Sequence, residues 1–543
     1  MQRKLRLTAG LLALAMVVVV GCSGTKSNDA GNGSKAGAVA KKGPNGEVYG
    51  GTLRIALGEE PPDIDPQVDT TLQVYNMSRD IFNTLIRYKG ATLELEPELL
   101  AEMPKVEPDN KTFHFKLRED VKFSDGQQLT AKDVKFTFER MLKPETKAQN
   151  TFIFEEIQGA QEMLAKKATD LSGFKLTGDY TFDITLAKPF GPFVSLLATP
   201  MASIFPADYT AKAGDKFGRQ PIGSGPFKLG EWKPNESLVL ERNPNYFEKQ
   251  YPYLDKIEYK VIKEEATRWL EFSKGTFDNS DLPDAERQTA LTSGKFTVLE
   301  SIPLNTYYLS LNVEMFKDKR VREAVSLAID RAKIMKAVIN DQGTVAKQFV
   351  TPGIPGALTN APGFAYDPAK AKALLKEAGA EGIKIESWQS GGDKASDTNL
   401  AIQQMLKDVG IDYQIKVVDK ATFRPARSNG QVPANQGNWW ADYPDPDNYL
   451  WTYFHTGDSK TMSVNYSNPA TDKVLEEARG ISDQAKRQKM YQDLETTLLA
   501  EYAVIPLFHE KQYDLTQKSV HGLISHPTGV SGSKTVWKDA GSQ

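Results

Sequence analysis

The sequence predicts a mixed α/β body, and three observations carry that prediction. Segments of period-two hydrophobicity alternate with segments of helical period along the chain after residue 50. No stretch beyond residue 50 approaches the roughly 20 consecutive apolar residues that a membrane span needs. The 543 residues, 40% hydrophobic and 25% charged, have ordinary globular composition in a chain too long for one core, so two or three domains are expected.

The strands come first. Thr112-Phe113-His114-Phe115-Lys116-Leu117 alternates apolar and polar after a Pro108-Asp109-Asn110 turn, as a half-buried strand does. Tyr180, Phe182, Ile184 and Leu186 repeat the pattern, and Leu238-Val239-Leu240 and residues 257–262 supply further strands. Three helices are written clearly. Thr130 with Asp133 forms a capping-box variant ahead of Val134, Phe138 and Met141. Across residues 318–331, Val321, Ala324, Val325, Ala328 and Ile329 make one apolar stripe. Asp367-Pro368 supplies an N-cap and an N1 proline, Ala371, Leu374, Leu375 and Ala378 the stripe, and Gly379 the stop. Residues 403–409 and 484–499 read as further helices.

Charge and composition exclude several classes. The formal net charge is −3, and −6 once the first 21 residues with Arg3, Lys4 and Arg6 are set aside; no basic block marks a nucleic-acid partner. One cysteine supports neither an internal disulfide nor a cysteine-based zinc site. Five histidines are scattered, and the nearest pair, His521 and His526, is not at helical ligand spacing, so neither metal nor cofactor is expected. The chain carries no G-x-S-x-G, H-E-x-x-H, Walker or G-x-G-x-x-G motif and is not expected to be an enzyme.

The first 47 residues set a compartment. A basic n-region is followed by the apolar run LLALAMVVVV at residues 11–20, so residues 1–21 read as an export signal. Val19-Val20-Gly21-Cys22 resembles the bacterial lipobox, which implies cleavage before Cys22 and a lipid on its thiol. Residues 22–47 then form a flexible tether rich in Gly, Ser, Ala, Asn and Lys. The body is expected on the extracytoplasmic face of a bacterial cell membrane.

A series of short blocks follows in order. Gly51-Thr52-Leu53-Arg54-Ile55 comes with Asp65-Pro66, and Phe123-Ser124-Asp125-Gly126 leads into Thr130-Ala131-Lys132-Asp133-Val134. Gly223-Ser224-Gly225-Pro226-Phe227 and Glu241-Arg242-Asn243-Pro244-Asn245-Tyr246 are next. Leu311-Asn312 precedes Arg320-Val321-Arg322-Glu323-Ala324, and Trp440-Ala441-Asp442-Tyr443-Pro444-Asp445-Pro446 closes the series. Each block is common alone. Together they resemble the solute-binding proteins of family 5, the peptide- and nickel-binding receptors of ABC importers. The resemblance implies a type II periplasmic-binding-protein-like fold, with two lobes hinged around a ligand cleft and an extra α/β domain. It places the first lobe in residues 48–82, 221–305 and 505–543, the extra domain in 83–220 and the second lobe in 306–504. It also implies a peptide ligand, importer permease subunits as partners, and a monomer.

The sharpest site candidate is Asp442. In peptide-binding relatives the acid of this segment grips the ligand's α-ammonium, and the resemblance carries that role onto Asp442; the bland alternative is a turn cap before Pro444. Trp439, Trp440 and Tyr443 surround it in sequence, and they could wall a cleft or fill a core. Backbone groups of Asn438 and its neighbours could pair with an extended ligand as a strand would. Asp65 is expected to face them from the first lobe, and Trp388 and Gln389 to line a side-chain pocket. An arginine for a ligand carboxylate is not evident at residues 387–390 or 434–436. An oligosaccharide stacked on the tryptophans is the rival ligand, followed by a metal complex or haem.

Overall fold

The computed structural model describes residues 41–280, 282–391, 394–481 and 483–541. The export signal, Cys22 and the tether as far as residue 40 lie outside the described residues.

Three sheets organise the body. In the first, Thr52–Leu57 runs parallel to Lys256–Val261, which is antiparallel to Ser237–Arg242, and Phe227–Lys233 closes the edge. Alternation places Leu238, Leu240 and Ile257 on the buried face, where Leu240 opposes Ile257. Helix Leu72–Ile81 adds Met77 and Ile81 to the same core. Thr71 caps this helix, its hydroxyl accepting from the Val74 amide at 3.4 Å.

The second sheet lies in the inserted segment, in the order Lys105–Val106, Thr112–Lys116, Thr181–Thr185, Phe174–Leu176. Its inward residues Phe113 and Phe115 oppose Ile184 and Phe182, and the Phe115 and Phe182 rings stack at 4.8 Å. Helix Ala131–Leu142 lies over them, with Phe138 stacked on Phe154 at 3.8 Å. The Asp133 carboxylate accepts from the Thr130 amide at 2.8 Å and hydroxyl at 3.0 Å, so this helix opens at the capping residues that the sequence marks.

The third sheet has six strands: Gly343–Val345, Val504–Glu510, Asn305–Leu311, Ala434–Trp440, Lys384–Ser390 and Asp412–Val418, in that spatial order. Helices Pro368–Glu377 and Asp397–Asp408 cover it, capped by Asp367 and Ser396. The apolar stripe across residues 318–331 is not one helix. Lys319–Ala328 ends at Ile329, and Arg331–Ala337 starts anew because the Asp330 carboxylate accepts from the Lys333 amide at 2.9 Å. An N-cap residue leaves helical backbone geometry, so the stripe continues while the helix does not.

The chain passes between the first and third sheets twice, and the two passages run together. Thr297–Ser301 leads into Asn305–Leu311, while Val504–Glu510 leads out into Gln512–Thr516. Thr297–Ser301 and Gln512–Thr516 pair antiparallel over five positions, from Thr297↔Thr516 to Ser301↔Gln512. Two lobes joined by a two-stranded ribbon can rotate about it without breaking either core.

Candidate ligand-binding cleft

Two cavities meet at Leu72 and Trp440. The larger, about 790 Å³, is bounded by helix Leu72–Ile81, the inserted segment and the loop of residues 524–535, with Trp440, Ala441 and Asp442 closing it from the third sheet. The smaller, about 570 Å³, follows the ribbon between the first and third sheets, past Asn305, Tyr307 and Asp514. Both fall within the roughly 300–1,000 Å³ of small-ligand sites. Gly529, at φ +76°, brings its loop against Trp440: a Cβ there would sit 3.0 Å from Trp440 Cζ2.

Strand Ala434–Trp440 positions the candidate residues. One edge pairs along its whole length with Asn305–Leu311, from Leu311↔Ala434 to Asn305↔Trp440. The other edge meets Lys384–Ser390 only at Ser387↔Ala434. Residues 436–440 thus face no second strand among the described residues. An exposed edge of this kind can accept an extended chain.

Asp442 follows that open edge. Its side chain reaches the larger cavity, and among the described residues its carboxylate accepts one hydrogen bond, a long one, from Asn448 Nδ2 at 3.4 Å. The Asn448 oxygen in turn accepts from the Asp442 amide at 3.1 Å and from Trp439 Nε1 at 3.0 Å, which fixes the segment. Asp442 is itself exposed to solvent across the cavity, while protein crowds its carboxylate on the other sides. That crowding raises its pKa from 3.8 to about 6, with Asn448 opposing weakly. No cation within ion-pair distance accompanies it among the described residues.

Its neighbours behave differently. Asp445 is held by both terminal nitrogens of Arg487 at 2.6 and 2.7 Å, and Asp447 by Arg479 at 2.8 and 2.9 Å. Burial works to raise Asp447, but the Arg479 charge and hydrogen bonds hold it below the ordinary value. These forks anchor the turn that carries Asp442.

The other candidates divide. Trp440 is exposed and walls both cavities. Asn438 is exposed on the open edge, opposite Tyr307. Trp439 is half-buried and packs edge-on against Tyr453. Tyr443 is buried in the core of the inserted segment and donates to Asp447 at 2.8 Å. Asp65 is buried too: Arg140 Nη2 reaches it at 2.5 Å and it accepts from the Gln67 amide, so its carboxylate is occupied within the protein. Trp388 lies under the Lys416 ammonium, 3.6 Å from the ring centre, and donates to Glu386 at 2.6 Å. The Gln389 side-chain oxygen accepts from the Ser396 amide and Asn399 Nδ2. Neither Trp388 nor Gln389 borders the two cavities.

Residues with no sequence signal complete the larger cavity. Arg79 lies 3.4 Å from Glu98, and Arg87 3.0 Å from Glu248 and 2.7 Å from Glu96. Lys534 lies 2.7 Å from Glu248. Burial would raise Glu248, yet Arg87 and Lys534 bring it down to about 2. Tyr75 projects from helix Leu72–Ile81 close enough for its phenol to feel the Asp442 charge. Nothing local predicts this set, since its members come from three separate stretches of chain.

Comparison with known proteins decides the family. The profile described as "Bacterial extracellular solute-binding proteins, family 5 Middle" matches residues 94–461. The chain belongs to that family. Among the curated relatives of this receptor, the dipeptide-binding protein DppE of Bacillus subtilis is 28% identical over 99% of this chain and 100% of its own. Among solved structures, the unliganded open form of the murein tripeptide-binding protein MppA superposes with a TM-score of 0.79, at 26% identity over 91% of this chain and 99% of that one. DppA of Helicobacter pylori in complex with the peptide STSA gives 0.73, at 26% identity over 90% and 98%. The fold of this family-5 receptor is therefore the two-lobe, type II-like architecture of periplasmic binding proteins.

Proposed function

We propose that this family-5 receptor captures peptides outside the cytoplasm and delivers them to the permease of an ABC importer, held at the membrane by a lipid on Cys22. One observation carries the ligand assignment: Asp442 is a cavity carboxylate without a cation, at the end of an open strand edge. A peptide supplies the missing cation as its α-ammonium, and its backbone supplies the missing strand. Both are present whatever the side chains. The dipeptide- and tripeptide-binding relatives support the same ligand class. On this reading residues 48–82, 221–305 and 505–543 form the first lobe, 83–220 the extra domain and 306–504 the second lobe. Trp440 and Asn438 flank the ligand, and Trp439 and Tyr443 support them.

Native mass spectrometry of the purified protein, incubated with a peptide mixture and with the same mixture N-acetylated, tests the assignment. Peptide adducts that vanish on acetylation and in Asp442→Asn support it. Hexose-spaced adducts, a bound metal, or indifference to both mixtures would remove the peptide and the Asp442 clamp together.

A further inference from the structure

We infer that the 790 Å³ cavity is a subsite for the first side chain of the ligand and that it selects a large neutral one, aromatic or aliphatic. The inference rests on the peptide reading above and adds the chemical class of the residue beside the ammonium.

The argument begins with charge. Besides Asp442, the cavity wall carries three cations, Arg79, Arg87 and Lys534, and three acids, Glu96, Glu98 and Glu248. Every one of the six has an opposite charge within 3.4 Å. Glu98 is further satisfied by the Thr84 amide and Asn83 Nδ2, each at 2.9 Å. Burial pushes the His526 pKa down, and its ring is engaged within the protein, one nitrogen 2.9 Å from the Thr92 carbonyl and the other 2.7 Å from the Thr528 hydroxyl. The far wall is thus compensated internally, and Asp442 is the one charge left for a ligand to meet. A second ligand charge entering the cavity would lose water and find only ions already partnered.

Direction comes next. With the ammonium at Asp442 and the backbone running along the open edge past Trp440, successive ligand side chains alternate in direction. The first branches one atom from the ammonium, where the cavity lies. What it meets there besides the ions is largely apolar: Tyr75, Met201, Tyr251, Ile524 and Val530. A glycine in first position leaves these surfaces to water.

Removing a large side chain from water at this site should tighten binding about 10- to 100-fold relative to glycine. Isothermal titration calorimetry of the purified protein with Phe-Ala-Ala, Leu-Ala-Ala, Gly-Ala-Ala, Glu-Ala-Ala and Lys-Ala-Ala reads this directly. The expected order is Phe and Leu tightest, then Gly, with Glu and Lys no tighter than Gly. Val530→Trp, which narrows the cavity from a half-buried loop position, should bring Phe-Ala-Ala and Leu-Ala-Ala to the affinity of Gly-Ala-Ala measured on the same variant. If Val530→Trp does not fold, the wild-type series decides alone. Equal affinity for all five peptides, or tightest binding of Glu or Lys, overturns the subsite and leaves the peptide reading standing. If none of the five binds, the peptide reading itself falls and the subsite with it.

Discussion

Lowering the pH from 7 to 5 should weaken peptide capture about tenfold. On the proposed reading the Asp442 carboxylate would hold the ligand's ammonium only when ionised, and its surroundings have raised its pKa to about 6. An acid with that pKa is about 90% ionised at pH 7 and about 10% at pH 5, so apparent affinity falls by roughly that ratio. The sign follows from the direction of the shift: affinity is present above the raised pKa and lost as pH falls through it. At the alkaline end the ligand's α-amino group, with a pKa near 8, gives up its own proton, so the profile should be a bell with its plateau between about 6 and 8. Proton counting offers a second readout. Ligand binding should expel about 0.9 proton at pH 5 and close to none at pH 7, where the roughly 0.1 proton lost by Asp442 is offset by about 0.1 taken up by the ligand's amine, measurable by calorimetry in buffers of different ionisation heat. Of the other groups facing the cavity, burial depresses His526 and Lys534, and the neighbouring cations hold Glu98 and Glu248 below their ordinary values. Asp442→Asn separates these contributions. A flat wild-type profile between pH 5 and 7, or an unchanged slope in Asp442→Asn, would refute the reasoning.

Three further predictions follow from the same geometry. Asp442→Asn should weaken peptide binding about 10- to 150-fold, the worth of a hydrogen bond to a charged group, and should raise the melting temperature of the empty protein at pH 7.5. The sign is that of a carboxyl raised in the fold: its ionisation opposes folding as pH climbs from the unfolded value of 3.8 past about 6, and Asn removes that charge. Arg487→Met should cost about 3–5 kcal/mol in urea unfolding, because the buried Asp445 loses both bonds of its fork at once. Glu495→Gln should leave the melting temperature unchanged at pH 4, below the ordinary glutamate value of 4.5, and raise it at pH 8.5. Its one oxygen Oε1 accepts the Phe349 and Val350 amides, each at 2.8 Å, and an amide oxygen can do the same. Burial raises Glu495 to about 7, so the wild type loses stability as pH rises through that value and the variant does not.

How much of this was legible in the sequence depended on the range of the interaction. Helices with a local cap read correctly, as at Asp367-Pro368 and at Thr130 with Asp133, because the signal lies within four residues. The helix break at Ile329–Asp330 did not, because the apolar stripe runs through it and only the Asp330 cap marks the restart. The segment around Asp442 was legible as a block. The state of each side chain was not. Asp65 looks like a cleft residue until Arg140, 75 positions later, takes its carboxylate. Trp388 and Gln389 are engaged by Glu386, Lys416, Ser396 and Asn399, and these contacts are set by how strand and helix pack. The cations Arg79, Arg87 and Lys534 were invisible for the same reason, since only the fold brings them to one wall.

A receptor for peptides of varied sequence has to take its affinity from what all peptides share and let the ligand decide when the lobes close. An unpaired Asp442 serves both ends. Left without a cation in the empty protein, it is a carboxylate that the surrounding protein solvates less well than bulk water does, and its pKa is raised accordingly. It follows a strand of the six-stranded sheet, whereas Tyr75 stands on the helix packed with the first sheet, and the loop of residues 524–535 that completes its surroundings lies between Leu523 and Val536 of that same core. Closing the lobes without ligand would bury the charge further and raise the cost. Closing them on an ammonium turns the same burial into a stronger attraction, since the pair interacts in a medium of lower polarity. On the proposed reading, ligand and closure would be coupled through one carboxylate, in proportion to how much more tightly the closed form holds the cation. A cation already paired with Asp442 inside the protein would remove that coupling. This gives a physical reason for the arginines beneath it to be spent on Asp445 and Asp447 instead.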